Sequence, residues 1–182
     1  QGRLRMDRQR GMVLVSMQAN QSLLVEGSRH PGWIPFTIEH TDNFSEHRHF
    51  GESITPHAMG GFNTQLKESL LRTSPGGNHI GAVLLERSRI EALAELRPGS
   101  QILDQMEVNN SAQLTPQAHS RLKQLMALPP WQGDDAKQSF EADFLEAELI
   151  ECLDTSSASS LRPAVKIHRS DLVRDLVRLS FQ

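Results

Sequence analysis

The period of hydrophobic and polar positions changes near the middle of this chain. Gly11-Met-Val-Leu-Val-Ser-Met17 is a short apolar, β-branched run of the kind that forms a buried strand. Ser22-Leu-Leu-Val-Glu26 is another, set off by a turn at Asn20-Gln21 and ended by Gly27. After Pro31-Gly32, the apolar Ile34, Phe36 and Ile38 alternate with Pro35, Thr37 and Glu39. Such alternation predicts a half-buried strand with Thr37 and Glu39 facing out. Breaks at Gly51, Gly60-Gly61 and Pro75-Gly-Gly77 predict short strands near 52–57, 61–66 and 68–73, then a surer one over Ile80-Gly-Ala-Val-Leu-Leu85.

Beyond that point the period becomes helical. Ser88 is placed to cap a helix carrying Ile90, Leu93, Ala94 and Leu96, stopped by Pro98-Gly99. Thr115-Pro116 is a cap followed by a first-turn proline, ahead of Leu122, Leu125 and Met126. Asp134 or Asp135 opens a further helix with an apolar stripe of Ala142, Leu145, Leu149, Cys152 and Leu153. Ser170 caps a last one, where Leu172, Val173, Leu176, Val177 and Leu179 recur at helical spacing and no Gly, Asn or Pro follows. The order predicts an α+β fold: a small β-barrel or sandwich over residues 1–100, then helices over 101–182. The open-ended last helix and the absence of an initiator Met at Gln1 lead us to expect one module of a longer protein.

Composition narrows the class. The chain has 182 residues, of which 37% are hydrophobic and 23% charged, with a single cysteine. That allows a real core, contains no run long enough to span a membrane, and excludes an internal disulfide framework. A cytoplasmic location is the simple expectation. A net charge of −3 argues against this piece gripping nucleic acid by itself. Charge is uneven, however: eight acids against Lys137 between Asp134 and Asp154, and five bases against two acids between Arg162 and Arg178. These stretches read either as solvated helix faces or as helices that pair, within or between subunits.

Histidines offer the candidate chemistry. Glu46-His-Arg-His-Phe-Gly-Glu52 contains His-x-His followed by Glu, and His79 lies downstream. Cupin metal enzymes use such a set because strand alternation puts the ligands on one barrel face. Here the spacer from His49 to Glu52 is short, and a regular strand would put Glu52 on the face opposite His47 and His49. The expectation is therefore no metal and no cofactor, with a metal site of His47, His49, Glu52 and His79 as the alternative. Trp33, Phe36 and His57 are candidates for lining a ligand pocket. Cys152 sits on an apolar helix side, as a small buried hydrophobe would. No nucleophile elbow, P-loop or dinucleotide fingerprint occurs, so no catalytic residue is named.

The order of elements carries a resemblance. Val83 to Leu93, Leu114-Thr-Pro-Gln-Ala-His-Ser-Arg-Leu-Lys-Gln-Leu-Met126, and His168-Arg-Ser-Asp-Leu-Val173 together resemble the N-terminal regulatory domain of an AraC-family transcription regulator. The resemblance implies a cupin-like β-barrel, an unidentified small-molecule effector, and helices that form a homodimer. It also implies a following C-terminal domain of about 100 residues with two helix-turn-helix motifs that contacts DNA in this fragment's stead. For dimerisation, the expected seam is Ala142, Leu145, Leu149 and Cys152, helped by Leu172 and Leu176, with Phe140, Phe144 and Leu153 widening the apolar surface. The rival readings are a metal-dependent cupin enzyme and a non-catalytic interaction domain.

Overall fold

A computed structural model describes residues 2–9, 11–41, 47–74, 76–127, 135–156 and 161–163, with the side chains of 135–140 excepted. The fold is α+β. Two antiparallel sheets face each other, and helices cover the outer face of the larger one. The strand pairing among the described residues leaves two open sheets, so the expected barrel is not closed.

The large sheet has the order β1-β2-β9-β4-β7-β10-β11. Its strands are β1 (Gly2–Gln9), β2 (Met12–Ala19), β4 (Trp33–Glu39), β7 (Ala58–Gly60), β9 (Asn78–Glu86), β10 (Asn109–Gln113) and β11 (Leu161–Pro163). The small sheet has the order β3-β8-β5-β6, built from β3 (Leu24–Ser28), β8 (Glu68–Arg72), β5 (Arg48–His49) and β6 (Glu52–Ser53). The small sheet's edges are β3 and β6, and β5 and β6 have two residues each. Their length is set by a hairpin in which Phe50 and Gly51 both have positive φ, 51° and 80°, and by Pro56 and the left-handed His57 just beyond.

Alternation in β2, β4 and β9 decides what lies on each side. Met12 and Leu14, Ile34, Phe36 and Ile38, and Val83 and Leu85 are all buried, and register puts Leu14, Val83 and Phe36 side by side across three strands. Against this face pack α1 (Arg87–Glu95), α2 (Ile102–Val108) and α3 (Pro116–Ala127), with α4 (Asp135–Asp154) laid on α2 and α3; together they bring in Ile90, Ile102, Met106, Leu122, Leu145 and Leu149. One hydrophobic cluster thus runs from Met12 to Leu153. A boundary at residue 100 would cut through it, and would separate β10 and β11 from the sheet they complete.

Several expected elements change. The run 61–66 is not a strand: Asn63 bends it, its Oδ1 accepting from the amides of Gln65 and Leu66 at 2.9 and 3.1 Å. The strand expected over 52–57 is only β6. Strands β1, β5, β7, β10 and β11 and helix α2 have no counterpart among the expected elements. Thr115 caps α3 as expected, accepting from the Ala118 amide at 3.2 Å. Ser88 caps nothing and lies inside α1, because β9 runs straight into the helix. The amides of Glu86 and Arg87 bond instead to the carbonyls of Gly11 and Gly32, each at 2.9 Å. Helix α4 appears as expected. The helix expected over 170–182 lies outside the described residues.

The proposed dimer seam is used inside the chain. Ala142, Leu145, Leu149 and Cys152 are all buried in the shared core, because the inward stripe of α4 packs on α3 and α2. Leu172 and Leu176 lie outside the described residues. The acidic stretch is not simply a solvated face either. Glu146 and Glu148 are buried and pair with Arg89 and with Arg121, the latter at 2.8 Å. Among the described residues, no helix is long and apolar enough to cross a membrane.

Candidate functional site

The inner face of the large sheet is only partly covered by the small one, and a cavity of about 690 Å³ lies between them. That volume is of the size that holds a small molecule. Its floor comes from the positions that alternate with the core: Val15 and Met17 on β2, Thr37 and Glu39 on β4, Ile80 and Ala82 on β9. Its roof is β8, through Ser69 and Leu71, with His49 and Phe50 from the β5–β6 hairpin. Leu4 and Val25 line it and are exposed, which marks an opening between β1 and β3.

Glu39 was expected to face water and instead is buried. It does share a face with Thr37, as alternation requires, but that face looks into the cavity. Its carboxylate accepts a hydrogen bond from His47 Nδ1 at 2.5 Å and another from the Thr41 amide at 3.0 Å. His47 is fully buried, so the pair ties the end of β4 to the residue before β5.

Arg29, which no sequence signal singled out, follows β3 and lines the cavity. Its Nε donates to Ser69 Oγ at 2.9 Å, and Nη1 donates to the Asn63 carbonyl at 2.8 Å. The guanidinium lies over the Phe50 ring, 5.8 Å from its centroid. Burial lowers its pKa to about 10, which leaves it charged at neutral pH. His49 has its pKa lowered to about 4, by burial first and then by the charge of Arg29, and is neutral at the same pH. Its ring lies along Gly60 and Gly61, where a Cβ would stand 3.5 Å from Nδ1 and 3.8 Å from Cε1 respectively.

The expected pocket residues lie elsewhere. Phe36 is fully buried on the helix side, stacked on Phe62 with ring centroids 6.1 Å apart. Trp33 carries Arg8 over its ring at 5.6 Å. His57 meets His119 of α3 edge to face at 5.2 Å. None of the three lines the cavity.

The alternative metal set is also divided. His49 and Glu52 face one another across the hairpin and both line the cavity, since the turn at Phe50-Gly51 ends the regular strand on which Glu52 was placed. His47 is bound to Glu39. His79 lies on the opposite face of the sheet, stacked on His40 at 4.6 Å and bonded to Ser16 Oγ at 3.1 Å. Among the described residues, no three His, Cys, Asp or Glu side chains gather into a metal-sized group. Cys152 is a buried free thiol whose pKa is pushed up to about 11, chiefly by burial and then by Glu148. It is too protonated at neutral pH to act as a nucleophile.

Compared with known proteins, the chain matches no family model, no curated protein and no solved structure.

Proposed function

We propose that this chain is the ligand-sensing module of an AraC-type bacterial transcription regulator, with a cupin-like sandwich as its sensory part. The observation that carries the reading is that the cavity and the helices share one sheet. Residues Ile80 and Ala82 of β9 face the cavity, while Val83 and Leu85 of the same strand face the helix-side core. Strand β9 then runs directly into α1. A ligand that favours one arrangement of the inner face biases the helix layer by its differential affinity, the physical content of a sensor.

In this reading the module joins a DNA-binding domain and works as a homodimer in the cytoplasm. Because the inward stripe of α4 is spent on the core, the subunit contact uses other surfaces. The reading is tested by reading the parent gene downstream of Gln182. The expected finding is a basic domain with two helix-turn-helix motifs; a domain of another kind overturns it. Sedimentation of the full-length protein, with a dimer expected at micromolar concentration, tests the assembly.

A further inference from the structure

The cavity is largely apolar, and the guanidinium of Arg29 within it is paired with no carboxylate among the described residues. Arg29 is half-buried, and every acceptor it uses is neutral: a hydroxyl, a backbone carbonyl and an aromatic face. Glu39 also lines the cavity, but its oxygens are engaged by His47 and Thr41. Glu52 and Arg162, of opposite sign, line the cavity from exposed positions and belong to its rim. A buried cation without an anion is costly, and proteins rarely retain one unless something else supplies the charge.

We propose that the cavity binds a small organic monocarboxylate with an apolar body, its carboxylate paired with Arg29. This deepens the sensory reading of the same cavity and rests on it. Nε and one Nη1 proton are taken by Ser69 and Asn63, which fixes the plane of the fork. Three protons on Nη1 and Nη2 remain for a carboxylate to accept. His49 stands beside it as a neutral imidazole, able to donate one hydrogen bond without adding charge. Val15, Met17, Leu71, Ile80 and Ala82 supply the apolar wall for the ligand's body. Arg29 and Arg162 against Glu39 and Glu52 leave the lining without excess positive charge, which suits a single negative charge better than a phosphate dianion.

The experiment is calorimetric titration of the chain at neutral pH with two acid–alcohol pairs, decanoate with decanol and phenylbutanoate with phenylbutanol. At least one acid is expected to bind about tenfold or more tightly than its alcohol, the scale of a charge-assisted pair. Arg29→Gln is expected to bring that acid down to its alcohol while leaving the alcohol unchanged, and Arg29→Lys to restore part of the preference. Equal binding of acid and alcohol by the unmodified chain overturns the Arg29 anchor and leaves the apolar cavity standing. Binding of none of the four overturns the cavity as a small-molecule site as well. The comparison within the unmodified chain decides the matter even if Arg29→Gln does not fold.

Discussion

Arg89 of α1 grips Glu146 of α4 with one hydrogen bond to each carboxylate oxygen, Nε to Oε1 at 3.1 Å and Nη2 to Oε2. The partners are 57 residues apart in the chain, so this fork fixes how the last described helix lies against the first. Glu146 keeps only 5% of its side-chain surface exposed, against 33% for Arg89. Removing the arginine therefore strands a buried carboxylate, which is the expensive way to break such a pair. Arg89→Met is expected to lower stability by about 2 kcal/mol. Arg97→Ala, at the exposed pair with Asp154, should cost less than about 1 kcal/mol. Urea denaturation of the two variants checks the contrast.

Three histidines make stability depend on pH. Burial lowers the pKa of His40, His49 and His119 from 6.5 to about 4. Further lowering comes to His40 from His79, Lys123 and His119, to His49 from Arg29, and to His119 from His57 and Lys123. Each folded pKa lies below its unfolded value, so between pH 4 and 6.5 the unfolded chain binds protons that the folded chain excludes. Stability is full above the unfolded pKa and falls as pH drops toward 4. His40 is a clear case, since its Nε2 is buried without a hydrogen-bond partner among the described residues. Urea midpoints are expected to fall steadily from neutral pH downward, with a shallower slope in His40→Gln. A flat profile would show that these rings are not held neutral.

How much of this was legible follows from what each side chain advertises. The phase of β4 was readable, because Ile34, Phe36 and Ile38 declare one face apolar, and that face is core. Its other face reads as water-facing because Thr37 and Glu39 are polar. A cavity under a second sheet looks the same in sequence as solvent. Strand β10, Asn109-Asn-Ser-Ala-Gln113, lacks β-branched residues and is held by β7 and β11 on either side, so only tertiary pairing reveals it. The α4 stripe was readable as apolar, but a buried stripe does not say whether its cover is the same chain or another. Arg29 was invisible for a related reason: a lone arginine after a strand reads as surface until Ser69 and Asn63 are brought to it.

Gly61 is required by its backbone. It has φ of +95°, and a Cβ there would stand 3.2 Å from both the Pro35 carbonyl and Thr37 Oγ1. Gly61→Ala is expected to cost about 1–3 kcal/mol and to disturb the seating of His49. Gly27 on β3 has open space around its Cβ position and no positive φ. Gly27→Ala should be neutral or stabilising by a few tenths of a kcal/mol, about 0.5 at most. Thermal melts of the pair separate a conformational need for glycine from a mere tolerance of it.

Leu149 decides between an intrachain and an intersubunit role for α4. It is fully buried within the core shared with the sheet and α3. Leu149→Ala is expected to cost about 2–5 kcal/mol, and Leu149→Asp to unfold the chain, since a carboxylate there has no partner and no water. Phe144, on another side of the same helix and 48% exposed, should tolerate Ser with a loss under about 1 kcal/mol. A folded, monomeric Leu149→Asp protein in circular dichroism and sedimentation would return the residue to the dimer seam.

Ala82 tests whether the space between the sheets is open to a ligand. Register places it between Val15 on β2 and Thr37 on β4, and all three side chains line the cavity. In a packed core, enlarging an alanine to phenylalanine forces neighbours off their rotamers and costs about 1–3 kcal/mol. Over a cavity of about 690 Å³ the new ring has room, and it buries apolar surface that was previously unfilled. Ala82→Phe is therefore expected to leave the thermal midpoint unchanged or raise it, while weakening whichever acid or alcohol probe the unmodified chain binds by about tenfold or more. The two readouts must move independently for the conclusion to hold. If the variant loses stability in the range of an overpacked core, the inner face is already filled and the cavity is not available to a ligand. If it stays stable and binds the probe as before, the probe sits elsewhere on the protein.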